Sequence, residues 1–369
     1  MKIGIPKEIK DHEYRVGATP EAVAAFVRHG HEVLVQKRAG EKIGFVDELY
    51  EKAGAKMVLT AQEVYLADMI VKVKELQEEE FPLIHEGQIL YGYLHLAPDP
   101  LQAKRLVERK VVAIAYETVT DARGRLPLLI PMSEIAGRVA IQAGASALQM
   151  AAGGKGVLLG GVPGVLPGRV VILGGGVVGT QAAKMALGAG ADVTLLDINL
   201  SRLRELDDLY GPLLKKLYSS KESMEKAIVG ADLVIGAVLI PGKVAPKILS
   251  KEMIRRMEKG SVFVDVAIDQ GGCSETSRPT SHSYPTYVEQ GVIHYCVTNM
   301  PGACAKTATK ALTHATFHLA LEIANKGFEK ALRENPFLLQ GLNVCKGFIT
   351  HPGVAQDVGL AYRDPLSLF

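Results

Sequence analysis

The chain has 369 residues, a length that favours two domains over one outsized core and excludes a single small module. Forty-two Lys and Arg against forty Asp and Glu leave a net charge of +2, with 22% charged and 48% hydrophobic residues, an ordinary balance that argues against a nucleic-acid-binding protein. The 38 glycines and 6% aromatics, with no Trp, suit a fold full of tight strand-to-helix turns better than a β-sandwich.

The N-terminus places Lys2, Lys7, Glu8 and Lys10 around a very short apolar stretch, so no secretory signal is expected. From there to about Leu126, strands are expected at 2–5, 32–35, 69–73 and 111–116, separated by helices near 20–29 and 101–109, a rhythm that predicts a parallel sheet. The first helix is well marked, with Thr19 to cap it, Pro20 in its first position and Gly30 beyond its end. The run Glu78-Glu79-Glu80 reads as a solvated loop or helix end. A long helix is expected over 133–152, with Ser133 as its cap and Glu134 against its positive end. Beyond the Gly- and Pro-rich stretch 153–168, a second strand and helix series runs from Arg169 to about Pro301. One more helix is expected over 308–326, and 327–369 carries loop-like and short helical signals that take the chain back to the first domain. The expected fold is α/β, with two Rossmann-like parallel-sheet domains flanking a cleft. The first is discontinuous (1–127 and 308–369) and the second, 128–307, is the dinucleotide-binding one.

Apolar runs such as 170–173 and 233–240 stop short of the roughly 18 residues that cross a bilayer. Cys273, Cys296, Cys304 and Cys345 lie far apart with no C-x-x-C pairing, which argues against a zinc ribbon or disulfide scaffold and makes a reducing cytoplasm the expected location.

The clearest chemical signal lies at the start of the second series. Arg169-Val170-Val171-Ile172-Leu173 reads as a buried strand and runs straight into Gly174-Gly175-Gly176-Val177-Val178-Gly179 and a helix, a G-x-G-x-x-G in the required context. Gly174 permits the tight turn, Gly176 lets the backbone approach a pyrophosphate, and Gly179 allows close helix–strand packing, while the helix N-terminus offers N–H groups to phosphate. A second strand, 192–197, ends in Asp197, which can accept hydrogen bonds from both ribose hydroxyls and repel a 2′-phosphate, so NAD is favoured over NADP. No Walker A loop is present, because Gln149 and Gly156 stand where that motif needs Gly and Ser or Thr. Strands expected at 233–238, 261–267 and 292–297 end at Val238-Leu239, Ile268-Asp269 and Thr298-Asn299-Met300, which should face the nicotinamide half. Asp269 is the one acid among them and could equally be an Asx turn leading into Gly271-Gly272.

In the first domain, three segments carry groups suited to anchoring a small polar substrate and moving its protons: Glu13-Tyr14-Arg15-Val16, Val71-Lys72-Val73-Lys74-Glu75 and Tyr93-Leu94-His95-Leu96. Lys72 and Lys74 are expected on one face of a strand, with Lys74 at its carboxyl end and so better placed for a cleft. His314, His318 and Glu322 fall at i, i+4 and i+8 of one helix, but no further ligand or supporting acid is visible, so no metal is expected.

Taken together, Gly4-Ile5-Pro6-Lys7-Glu8 with Glu13 and Arg15, then 71–75, 93–97, 173–179, 265–272 and 298–302, resemble the alanine dehydrogenase family in order and spacing over nearly the whole chain. The resemblance implies NAD-dependent, reversible oxidative deamination of L-alanine to pyruvate and ammonia. Arg15 and Lys74 would bind substrate, and His95 and Asp269 would serve as acid/base groups. It also implies NAD contacts from Ser133, Val177, Val178, Asp197, Arg202, Ser219, Val238, Leu239, Val266, Ala267, Ile268, Asp269, Arg278, Val297, Thr298, Asn299 and Met300, and a homohexamer. On this view Arg15 offers the substrate carboxylate a bidentate fork. The rivals are a related dehydrogenase such as one splitting saccharopine, and a transhydrogenase NAD-binding subunit, which has no need of Lys74 with His95.

Overall fold

The computed structural model describes residues 1–238 and 244–369. The chain lays down β1 (Lys2–Ile5), β2 (Glu32–Gln36), β3 (Lys56–Val58), β4 (Met69–Val71), β5 (Ile89–Gly92) and β6 (Val112–Ala115). A second series follows as β7 (Arg169–Leu173), β8 (Asp192–Asp197), β9 (Leu214–Tyr218), β10 (Leu233–Gly236), β11 (Val262–Asp265), β12 (Thr286–Glu289) and β13 (Val292–Tyr295), before the chain closes with β14 (Leu342–Cys345) and β15 (Phe348–Ile349). Two compact units result: Met1–Met132 with Cys304–Phe369, and Ser133–Ala303.

In the first unit the strand order is β15-β14-β6-β5-β4-β1-β2-β3. Strands β1 to β6 pair in parallel, whereas β14 runs antiparallel to both β6 and β15. The order reverses between β1 and β4, the point of an open α/β sheet beyond which ligands bind. In the second unit the order is β12-β13-β11-β10-β7-β8-β9, parallel except for β12, and it reverses between β7 and β10. The expected all-parallel sheets are therefore mixed at one edge each.

The strands β1, β7 and β8 keep their expected bounds, because short β-branched runs between glycines or prolines leave little choice. The first helix, Pro20–Arg28, has Thr19 Oγ1 accepting from the Ala22 N–H at 3.4 Å and Gly30 at φ +83° beyond its end. The next long helix, Ile130–Ala147, begins ahead of its expected start. Pro131 fits its first turn, where no N–H is required, so Ser133 lies inside the helix and does not cap it. The tail expected to be loop-like supplies β14 and β15, each short and so weak in periodicity, yet β14 is buried along its length.

Candidate functional site

The residues singled out in the first unit gather past the carboxyl ends of β1, β4 and β5. Arg15, in the stretch after β1, is 2% exposed rather than solvated. Its Nε and Nη2 donate to Glu13 Oε1 and Oε2 at 2.7 and 2.5 Å, and its backbone N–H donates to Glu13 Oε1 at 3.0 Å. Burial alone would depress the guanidinium's pKa, and Glu13 reverses this and holds it above the ordinary value. The forked edge expected to face a substrate carboxylate is thus turned to Glu13, while Nη1 lies 3.1 Å from Met132 Sδ.

Strand β4 stops at Val71, so Lys72 and Lys74 stand in the loop beyond it rather than on one strand face. Lys72 continues the ladder with its N–H to Tyr91 O, but Glu8 Oε1 then accepts the N–H groups of Val73 at 2.7 Å and Lys74 at 3.3 Å and ends the strand. Lys72 is buried, its Nζ 3.2 Å from Glu8 Oε2 and 2.7 Å from Glu80 Oε1. Burial lowers the Lys72 pKa, but the two carboxylates outweigh it and raise it; burial also pushes the Glu8 carboxyl up, against the pull of Lys72. Glu80 is therefore not the solvated residue expected of a charge run: it is 3% exposed and also accepts from the Tyr65 hydroxyl at 2.8 Å and the Gln77 N–H at 2.8 Å. Lys74 is half-buried beside Glu75, whose carboxylate is bonded by Lys10; burial raises the Glu75 pKa, but Lys74 and Lys10 bring it below its ordinary value.

His95 follows β5 and takes the left-handed conformation, φ +49°. Its ring stacks on Tyr93 with centroids 5.8 Å apart and an 8° interplanar angle, and the Tyr93 hydroxyl donates to Leu128 O at 2.6 Å.

In the second unit the Gly-rich turn joins β7 to the helix Val177–Gly188. Gly174 has φ +103°, and a Cβ there would sit 2.6 Å from Ala237 O, where the loop after β10 abuts it. At Gly179 a Cβ would come within 1.8 Å of Gly174 O. At Gly176, the helix cap, a Cβ would meet nothing within 4 Å among the described residues, so none of them requires glycine there. A pyrophosphate laid over the first N–H groups of the helix, from the exposed Gly176 and Val177, would need that room, so the turn fits a dinucleotide. Asp197 ends β8 and is half-buried, accepting from the Gly175 N–H at 2.5 Å and the Asn199 N–H at 2.7 Å. Arg202 braces the same turn, donating from Nε to Gly175 O at 2.7 Å and from Nη2 to Thr180 Oγ1 at 2.8 Å. The Ser219 N–H donates to Asp197 O at 3.0 Å, which places Ser219 beside that acid.

Strands β10, β11 and β13 each end two residues before their expected limits. Val238 follows β10, and Leu239 lies outside the described residues. Val266, Ala267, Ile268 and Asp269 form a 3-10 turn capped by Asp265, with Asp269 exposed. Asp269 Oδ1 accepts the Asn299 N–H at 3.3 Å, and Asn299 is left-handed at φ +61°, so the ends of the β11 and β13 segments meet there. Val297 and Met300 are buried, and Thr298 donates its N–H to Thr280 O. Arg278 is exposed and lies 4.0 Å above the Tyr287 ring. Ser133 is half-buried on its helix. His314 and His318 are exposed, and Glu322 is engaged by Lys326 at 2.8 Å and Asn335 at 3.2 Å.

Sequence reasoning missed the roles of Glu13, Glu80 and Glu117 as carboxylates that hold other site residues. Spacing carries no signal for Glu117, which reaches His95 from 22 residues on, and at Glu13 and Glu80, two and eight residues from Arg15 and Lys72, the charge pattern does not tell an inward-turned carboxylate from a solvated one.

The description "Alanine dehydrogenase/PNT, N-terminal domain" matches residues 4–136 and "Alanine dehydrogenase/PNT, C-terminal domain" matches residues 140–352. The chain is 56% identical over 364 residues to a protein of Methanococcus maripaludis named alanine dehydrogenase, covering 98% of each chain. It is 52% identical over 363 residues to a Bacillus subtilis protein of the same name, covering 98% of this chain and 96% of that one. A solved structure titled L-alanine dehydrogenase superposes with a TM-score of 0.95 at 50% identity, covering 97% of this chain and 99% of that one.

Proposed function

The chain belongs to the alanine dehydrogenase/PNT family, and from that premise we infer that it catalyses the NAD-dependent, reversible oxidative deamination of L-alanine to pyruvate and ammonia. The observation that carries this reading is the likeness, at half identity or more and over nearly the full length, to proteins bearing that name. The unit Met1–Met132 with Cys304–Phe369 takes the substrate, and Ser133–Ala303 takes NAD.

NAD, when bound, accepts the hydride that leaves the substrate Cα. Arg15 supplies a fixed positive charge for the substrate carboxylate, and Lys74 donates a hydrogen bond to the carbonyl oxygen of the keto acid and so orients it. His95 takes a proton from the water that adds to the iminium carbon and returns it to the departing ammonia. Asp269 offers its negative charge to the cationic intermediate. The nucleotide is held by the Gly174–Gly179 turn, with Asp197 on the adenosine ribose and Arg278, Val238 and 297–300 toward its other half. Four free cysteines support a reducing, cytoplasmic setting, and among the described residues no helix is long and apolar enough to cross a membrane. The assembly is a homohexamer, to be read from its mass in solution by light scattering.

The test follows the absorbance of reduced cofactor with L-alanine and NAD. His95→Ala and Asp269→Asn each lower turnover by about 10²–10⁴-fold while NAD binding persists. Near-normal turnover in both variants refutes the assignment.

A further inference from the structure

His95 follows β5, and the 3-10 turn Tyr116–Thr118 follows β6, its parallel neighbour in the sheet. From that turn Glu117 reaches across. Its Oε1 accepts the His95 N–H at 2.6 Å and the Leu94 N–H at 3.2 Å, and its Oε2 stands 3.3 Å from the same Leu94 nitrogen. From the other side, the buried Gln102 donates from Nε2 to Leu94 O at 2.8 Å, so the peptide groups ahead of His95 are held on both edges. The backbone so fixed is one that residues with a Cβ rarely adopt, His95 at φ +49°. The Tyr93 ring in turn packs edge-on against Tyr116 at 5.1 Å, and Tyr116 against Tyr91 at 4.5 Å, so the surface on which the imidazole stacks is itself buttressed by buried rings.

We propose that Glu117 is a positioning residue for the reaction: through the peptide N–H groups of Leu94 and His95 it holds His95 in the left-handed conformation that aims its imidazole. The proposal rests on His95 being the proton-transfer group of the alanine reaction. Glu117 touches neither substrate nor cofactor in this role. Because a single oxygen, Oε1, makes both of the shorter bonds, an amide oxygen at the same place keeps them and gives up only the 3.3 Å bond of Leu94 to Oε2, so the negative charge is not required.

The experiment measures kcat and both KM values for the purified enzyme with L-alanine and NAD, together with its melting temperature. Glu117→Ala lowers kcat by about 10- to 100-fold, the scale of loss from a misplaced reacting group, with the KM for NAD unchanged, and Glu117→Gln restores kcat to within about threefold of the parent. In a His95→Ala background, Glu117→Ala causes no further loss, because nothing remains to be aimed. Three results overturn the proposal: Glu117→Gln as damaged as Glu117→Ala, an equal loss with and without His95, or an unchanged kcat in Glu117→Ala. If Glu117→Ala does not fold, the Gln variant and its His95→Ala double variant decide alone, the proposal failing if Gln loses tenfold or more. A parent enzyme that does not turn over alanine, or a His95→Ala variant that remains fully active, refutes the assigned reaction or the role of His95 rather than the positioning.

Discussion

At the strand reversal between β1 and β4 the chain buries Arg15 against Glu13, and Lys72 against Glu8 and Glu80. At the reversal between β7 and β10 it sets a glycine turn in which, among the described residues, nothing lies within 4 Å of a Cβ built at Gly176. The same topology thus yields two kinds of pre-organised site. On the proposed function a small substrate offers few atoms to grip, and the groups proposed to meet it are fixed from behind by desolvated ion pairs and peptide-bonded carboxylates. A dinucleotide brings its own charges and many contacts, so the protein needs mainly N–H groups, room and one acid at the ribose.

The contrast breaks most decisively at the first reversal. Glu13→Ala removes the carboxylate that the buried Arg15 guanidinium grips and lowers unfolding free energy by about 3–5 kcal/mol, read by denaturant melts; a loss below about 1 kcal/mol means that other groups compensate Arg15. The second reversal separates space for the protein from space for the ligand. Gly179→Ala drives a Cβ into Gly174 O and costs about 1–3 kcal/mol of stability, whereas Gly176→Ala changes stability by less than about 1 kcal/mol yet weakens NAD binding by about tenfold, or 1.4 kcal/mol. Calorimetric titration beside melting curves checks both, and equal behaviour of the two variants erases the distinction. The smallest effect is expected at the ribose. Asp197→Ala relaxes the preference for NAD over NADP by a factor of about ten, the scale of one lost charge-assisted hydrogen bond, and an unchanged ratio of kcat/KM values means that the ribose is read elsewhere.

The legibility of the two reversals differs for the same reason. The nucleotide turn is local: strand, glycines, helix and terminal acid follow one another within 169–197, and β7 and β8 take the bounds their patterns dictate. The groups proposed for the substrate come from loops far apart in the chain. Pattern alone cannot tell that Lys72 is a buried structural cation while Lys74, two residues on, reaches half-exposed surface. That outcome turns on Glu8, which captures the N–H groups of Val73 and Lys74 and ends β4 early. The acidic run misleads likewise, since Glu78 and Glu79 are exposed and Glu80 points inward to Lys72 and Tyr65. The resemblance carried Arg15, Lys74 and His95 as a set. It named Glu13 beside Arg15 without its role and did not carry Glu117, which acts on His95 through a contact between the loops after β5 and β6.

The antiparallel seat of β14 on β6 bears on how the polypeptide is made. The second unit is one unbroken stretch, Ser133–Ala303, and can close while the chain is still on the ribosome, but the sheet of the first waits for residues 342–345. Throughout that interval β6 is a bare strand edge open to wrong partners, so translation finishes the middle of this protein before its beginning. A nascent chain stalled with residue 303 just clear of the tunnel should resist protease over 133–303 and be cut within 1–132.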